Sequence, residues 1–235
     1  MATDESMEKT PAALTEKEVL RWSEMLSALA RTGLAFTESL YERERFEEIL
    51  HVAAEIQACS SLPIEVDTLV EEWTKTIGHG VPGYVTPKNT VAAIVGNDEN
   101  EILLMQRADS GYWLYPTGWA DVGYSPAEVA VKEVWEETGM KTEVVRLLGV
   151  YDGMRLGFTR IPMYSTVFQL RVIGGELAPH PLECSDVGFF SDDALPDPLI
   201  GKDRWVSRAF AAIRGEDLPV EFDGVRVPPW ELEDE

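Results

Sequence analysis

Residues 118–140 read Gly-Trp-Ala-Asp-Val-Gly-Tyr-Ser-Pro-Ala-Glu-Val-Ala-Val-Lys-Glu-Val-Trp-Glu-Glu-Thr-Gly-Met, and they constrain the fold more tightly than any other stretch of the chain. Ser125 is a good N-cap, Pro126 suits the first helical position, and Glu128 follows the cap by three residues. Together they make a capping box with proline at N1. Gly139 supplies the left-handed residue on which helices commonly end. Between these signals Ala127, Ala130, Val131 and Val134 form an apolar stripe, so the helix has one face for a core and another for charge.

The charged face carries Glu133, Glu136 and Glu137. Offsets of three and four residues bring side chains together on a helix. Carboxylates gathered in this way repel one another unless a cation holds them, and otherwise take up protons at raised pKa values. A solvated acidic face is the plainer reading of a Glu-rich helix. The preceding loop argues against it, because Gly118 and Gly123 flank a tight connection that follows an apolar strand. Backbone carbonyls and carboxylates converging there suit Mg²⁺ or Mn²⁺, which prefer oxygen ligands.

The same stretch resembles the signature of the Nudix hydrolases. Gly118, Glu133, Val134, Glu136, Glu137, Gly139 and Met140 match it in register. Tyr124 stands where the family usually has Glu, and Lys132 where it usually has Arg. The segments Gly118–Gly123, Ser125–Glu128 and Asp186–Phe190, with Trp22 and Tyr41–Arg45, are similar to a subgroup that carries an N-terminal helical domain, over about residues 14–214. Members of that subgroup resemble pyrophosphatases acting on CDP-choline and related nucleoside-diphosphate compounds.

The resemblance implies a Nudix α/β/α sandwich with a mixed sheet, preceded by a small all-helical domain. It implies Mg²⁺, or Mn²⁺, as cofactor, with Glu133, Glu136, Glu137 and the carbonyl of Thr117 as metal ligands. It offers two candidates for the general base, Glu133 and Glu183. Lys132 keeps the positive charge of the usual Arg without its planar two-pronged contact, and remains able to orient Glu136 or Glu137. Tyr124 cannot donate a carboxylate, which leaves the number of metals open.

The rest of the chain sets the organisation. Residues 1–13 read as a disordered tail and 14–77 as the helical domain, with Val19, Leu20, Trp22, Met25, Leu26 and Leu29 at helical spacing. Leu40, Tyr41, Phe46, Ile49, Leu50, Ala53 and Ile56 repeat the pattern beyond Gly33, and Ile64–Ile77 gives a third helix. These stripes suit a core first and a homodimer interface second. The glycines and prolines of 78–87 mark a linker to the Nudix domain at 88–214. Within it, strands are expected at 90–95, 101–106, 113–115, 143–151, 163–172 and 187–190, with a closing helix at 204–213. Residues 215–235 read as an acidic, proline-containing tail.

Lys and Arg number 20 against 42 Asp and Glu, a formal net charge of −22, so a nucleic-acid backbone is not the expected partner. A nucleoside-diphosphate-linked small molecule remains compatible, because a metal and a few basic residues suffice to hold its phosphates. No apolar run reaches the ~20 residues of a membrane helix. Cys59 and Cys184 are the only cysteines and read as free thiols of a cytoplasmic protein. For the substrate, Arg107 could reach a phosphate, Trp113 and Trp119 could stack on a base, and Arg155, with Arg160, lies in a loop that could close over the site. Asp121 reads as a turn residue. The expected activity is hydrolysis of a CDP-choline-like or nucleotide-sugar substrate. The alternatives are an ADP-ribose pyrophosphatase, or a nucleotide-sensing module whose turnover is weakened by Tyr124 and Lys132.

Overall fold

The computed structural model describes residues 14–59, 65–78, 83–121, 123–157 and 159–227. The expected tail at 1–13, the middle of the 78–87 linker, the start of the third helix at Ile64 and the end of the 215–235 tail lie outside the described residues. Contacts divide the chain into two compact units, Met1–Thr86 and Pro87–Glu235.

Among its described residues the first unit contains three helices, α1 (Glu16–Phe36), α2 (Leu40–Ala58) and α3 (Val66–Lys75). Thr15 and Glu18 cap α1 reciprocally. Ala30, Leu34, Leu50, Ala53, Ala54, Leu69 and Trp73 form the core. Gly33 lies inside α1, not between two helices as its sequence context suggests. A methyl group there would stand 2.4 Å from the Phe46 ring, so this glycine makes room for a neighbour. The expected apolar stripes are only partly buried. Trp22, Met25 and Leu29 of α1 and Leu40 and Tyr41 of α2 are exposed, whereas Ser23, Glu24 and Ser27 face inward. Ser23 and Ser27 are small enough to allow close helix approach, and Ser23 also bonds across the interface. The Ser23 hydroxyl donates to the Ala53 carbonyl at 2.7 Å.

Glu24 carries a cost at this position. Burial pushes its carboxyl up to about 7, and the charge of Arg31 opposes the shift. Arg31 is itself held by the Ser27 carbonyl and the Thr76 hydroxyl, over the Trp73 ring.

The second unit is an eight-stranded mixed sheet between helices. Its strands are β1 (Lys88–Gly96), β2 (Ile102–Arg107), β3 (Trp113–Leu114), β4 (Thr117–Trp119), β5 (Met140–Asp152), β6 (Met163–Gly175), β7 (Cys184–Phe190) and β8 (Glu221–Phe222). The main path runs β3-β2-β1-β6-β5-β8, with β4 paired to β1 and β7 to β2. The β1–β6 and β5–β8 pairs are parallel. Three helices complete the unit: α4 (Pro126–Thr138), the single turn α5 (Gly153–Leu156) and α6 (Lys202–Ile213).

β1 is apolar from Val91 to Val95 because both of its faces are covered there. Val91, Ala93 and Val95 pack with Val129, Ala130 and Val134 of α4. Ala92 and Ile94 turn the other way, towards Val206, Ala209 and Phe210 of α6. Each fully buried Val, Ile or Phe among them contributes roughly 1.5–3 kcal/mol, and each Ala less. The helix–sheet–helix layering agrees with the expected fold. Residues 215–227 do not trail away as a tail. Glu221 and Phe222 add a strand beside Gly149 and Val150, and Arg155 donates to the Gly224 carbonyl at 2.6 Å.

Glu24 makes the stability of the helical unit depend on pH. Its folded-state pKa lies above the ordinary carboxylate value, so its stabilising effect is complete below about 4.5 and is lost as pH rises to about 7. Thermal or urea unfolding of the full chain should therefore show Glu24→Gln gaining on the parent between pH 5 and pH 8, by on the order of 2–3 kcal/mol. Parallel pH profiles for the two proteins would contradict the assignment.

Candidate active site

The site is built where β4 runs against α4. The helix begins with the predicted box: Ser125 accepts from the Glu128 amide, and Glu128 accepts from the Ser125 amide at 2.6 Å. It ends at Gly139, whose φ of +74° is the left-handed conformation expected there. The apolar stripe faces the sheet, and this fixes which carboxylates point towards β4.

Glu137 is 4% exposed and accepts the Thr117 amide at 3.0 Å. Burial first, and then the charge of Glu133, push its carboxyl up to about 8, against the lowering pull of the Thr117 N–H. Glu133 is half-buried. Burial raises its pKa, the charges of Glu136, Glu183 and Asp121 raise it further, and Lys132 opposes them. A Cβ at Gly118 would stand 2.2 Å from the Glu133 carboxyl carbon, so this glycine is the space into which Glu133 folds. Both carboxyls are thus raised, chiefly by burial and only secondarily by neighbouring carboxylates.

Thr117 presents its backbone to α4. Pro116 accepts from Ala93, and Ala120 donates to Asn89, so the even-numbered residues face β1. Successive residues of an extended strand turn their N–H and C=O groups to opposite sides. The Thr117 carbonyl thus leaves on the side of its N–H, towards the carboxylates.

Glu136 is arranged differently. Lys132 Nζ lies 2.7 Å from Glu136 Oε2 and 3.1 Å from Asp121 Oδ2. Its hydrogen bonds to these two acids raise the ammonium pKa. Asp121, expected only to shape a turn, is therefore half of an ionic clamp. Among the described residues no three acidic, imidazole or thiol groups stand as an assembled metal cage. The expected set is divided, with Glu133 and Glu137 against β4 and Glu136 held by lysine.

The donor chemistry still fits a hard divalent cation. Two crowded carboxylates, one of them deeply buried, face a strand that offers a carbonyl. The nearby cations are engaged elsewhere, Lys132 by Glu136 and Asp121, and Arg107 by Asp109 at 2.6 Å. A divalent ion would relieve the repulsion between Glu133 and Glu137, and Glu136 could join it by exchanging its lysine partner.

The other expected residues separate into two groups. Glu183, exposed in the turn just before β7, acts electrostatically on both Glu133 and Glu137. Its carbonyl accepts the Ala108 amide, which ties this loop to the end of β2. Arg107 lies near enough for Glu137 to influence it, although its main partner is Asp109. Trp119 is 48% exposed with Lys88 over its ring at 5.6 Å, and remains available for stacking.

Trp113 is not available for stacking. It is a core residue, edge-on to Phe190 at 5.1 Å, because its strand is enclosed by β2 and the Pro198–Ile200 segment. Arg155 secures the Gly224 segment. Tyr124 lies in an outer groove with Val131, Trp135 and Val144. Cys184, expected as a free thiol, is free and buried beside this loop, and burial first and then the Glu137 charge push its thiol up to about 11.

Comparison with known proteins adds four findings. The description "NUDIX domain" matches residues 86–231. The description "UDP-X-like, N-terminal oligomerisation domain" matches residues 17–66. A protein of Bacillus subtilis (strain 168), provisionally named an ADP-ribose pyrophosphatase, YjhB, is 33% identical over 87% of this chain and 96% of its own. The crystal structure of a UDP-X diphosphatase is 28% identical with a TM-score of 0.51, covering 89% of this chain and all of the other.

Gly118→Ala tests the packing of Glu133. The displaced group is the end of a flexible side chain, so the melting temperature should stay within a few degrees of the parent. Mn²⁺ affinity, measured by calorimetry, should fall at least ten-fold. Unchanged affinity would mean that Glu133 does not need the space at Gly118 to bind the ion.

Proposed function

The chain belongs to the Nudix family of hydrolases, and we propose that it uses a divalent cation, Mg²⁺ or Mn²⁺, to split the diphosphate of a nucleoside diphosphate joined to a second group. The products would be a nucleoside monophosphate and a phosphorylated remainder. The observation that carries this reading is the pair Glu133 and Glu137, folded against Gly118 and the Thr117 amide within residues that match the family signature. CDP-choline-like and nucleotide-sugar substrates come first. The UDP-X diphosphatase likeness supports them over both units of the chain. ADP-ribose is the rival, supported by the Bacillus relative.

When bound, the cation supplies a Lewis acid for the diphosphate and acidifies the attacking water. The chain's own groups have separable roles. Glu137, oriented by the Thr117 N–H, and the Thr117 carbonyl would hold the ion on one side, and Glu136 would join them in place of its pair with Lys132. Lys132 then remains beside the phosphates as a counter-charge. Glu133, with its raised pKa, takes the proton of the attacking water, a task that favours a group titrating closer to neutrality. Glu183 is the other acidic group positioned for that step. Arg107 offsets charge developing on the phosphoryl oxygens.

The exposed Trp22, Met25, Leu29, Leu40 and Tyr41 support a homo-oligomer formed through the helical unit, in line with the family description matched there. Among the described residues no helix is long and apolar enough to cross a membrane. The free Cys59 and Cys184 thiols favour a reducing, cytoplasmic setting.

Turnover of CDP-choline, UDP-sugars, ADP-ribose and nucleoside triphosphates with Mg²⁺ or Mn²⁺ tests the proposal. One substrate class should release a monophosphate in a chelator-sensitive way. The Glu136→Gln/Glu137→Gln protein should fold and lose at least a hundred-fold in kcat. Parent-like activity in that variant would remove the metal-site assignment. Silence of the parent across the panel, with nucleotide binding retained, would favour a sensing module. For the base, Glu133→Gln should flatten the acidic limb of the kcat profile, whereas Glu183→Gln should leave it in place.

A further inference from the structure

An ion pair ties the loop between β4 and α4 to the helix. Asp121 follows closely on Trp119, where β4 ends. Lys132 Nζ lies 3.1 Å from Asp121 Oδ2 and 2.7 Å from Glu136 Oε2, so one ammonium serves an acid of the loop and an acid of the helix. The backbone is anchored on both sides of Asp121. Ala120 donates to the Asn89 carbonyl of β1 at 3.0 Å. The Asp121 carbonyl accepts the Tyr124 amide at 3.4 Å, which turns the chain towards the Ser125 cap. The Asp121 carboxylate thus stands on a fixed base, as do Lys132 and Glu136 on their helix.

We propose that Asp121 is a positioning residue: it retains Lys132 beside the site and so frees Glu136 to join Glu137 around a divalent cation. The proposal rests on the hydrolase reading above, and it gives Asp121 a role without contact to the ion. Three observations carry it.

The first is sharing. An ammonium has three N–H donors and no acceptor, so Lys132 can hold both acids at once. Among the described residues these are the two acids within ion-pair distance of it. With Asp121 in place, Lys132 keeps a partner when Glu136 turns away. Without Asp121, drawing Glu136 to a cation would strand the ammonium, and Glu136 would be held back more firmly.

The second is charge. Asp121, Lys132 and Glu136 together carry one surplus negative charge. If Glu136 turned to a cation, Asp121 and Lys132 would remain as a neutral pair. A lone ammonium at that place would repel the cation instead. The direct reach of Asp121 towards the carboxylates is small, since its charge bears on Glu133 less than those of Lys132, Glu136 and Glu183 do. Its influence therefore passes through Lys132.

The third is the pair of departures from the family signature, Tyr124 for Glu and Lys132 for Arg. Tyr124 and Lys132 line the same outer groove, so an acid at 124 would lie beside the cation at 132. Asp121 supplies an acid from the other end of the Asp121–Tyr124 hydrogen bond.

The test measures Mn²⁺ affinity of the full-length protein by calorimetry, without substrate. Asp121→Asn preserves the size of the side chain and its aptitude for turns, so the melting temperature should stay within a few degrees of the parent. Its Mn²⁺ affinity should fall about five-fold, the range of a partly exposed ion pair. In a Lys132→Met background the same change should have an effect of no more than about two-fold, because no ammonium is left to retain. Adding Tyr124→Glu to Asp121→Asn should restore the parent affinity, whereas adding Tyr124→Gln should not. An equal loss without Lys132 would mean that Asp121 acts on the cation directly, and would overturn the proposal. Equal affinity with Glu and Gln at position 124 would also overturn it. A parent that binds Mn²⁺ and is unmoved by Asp121→Asn would refute this role alone. A parent that binds no Mn²⁺ would refute the metal site of the hydrolase reading and this role with it.

Discussion

Everything at the carboxylate site depends on how closely β4 approaches α4. Gly118 has no side chain, so Glu133 can fold where a methyl group would otherwise stand, and the next amide back along the strand reaches Glu137. A wider separation would leave both acids in solvent, with ordinary pKa values and no fixed geometry. A closer approach is purchased by burying charge, and the raised pKa values of Glu133 and Glu137 record that cost. The core on the other side of α4 holds the arrangement in place, because Val129, Ala130 and Val134 are locked against β1.

What could be read in advance was whatever is encoded locally. The Ser125–Pro126–Glu128 cap, the Gly139 stop and the spacing of the glutamates each depend on a few adjacent residues, and they place α4 and its two faces. The continuous burial of β1 from Thr90 to Val95 was legible as an apolar run. Less was legible where a residue's fate depends on a distant partner. Trp113 looks like a ligand-stacking residue until Phe190 and the Pro198–Ile200 segment enclose it. Trp22 and Leu29 look like core residues until Ser23 bonds α2 and turns the polar face of α1 inward. Asp121 shows no value in sequence until Lys132 is folded beside it.

The 215–227 segment shows the same limit at larger scale. Its acidity and prolines describe a tail, yet Glu221 has an arginine and a tyrosine waiting on α6 and β5, and Asp223 has the amide of Asp152. Those partners lie 13 to 71 residues away in the chain, beyond any local pattern. Charge that reads as solvating in one dimension is specific in three.

The Lys132 clamp separates the carboxylates by how firmly each is held. Glu137 is fixed by burial and a backbone amide, which dissolved ions barely affect. Glu136 is fixed by a partly exposed ion pair, of a kind typically worth no more than about 1 kcal/mol. Mobile ions screen such a pair, with a Debye length of about 8 Å at physiological ionic strength. The lysine is thus a counterion that the protein carries for itself, and one that salt can loosen. Ionic strength sets the cost of releasing Glu136, while the position of Glu137 stays the same.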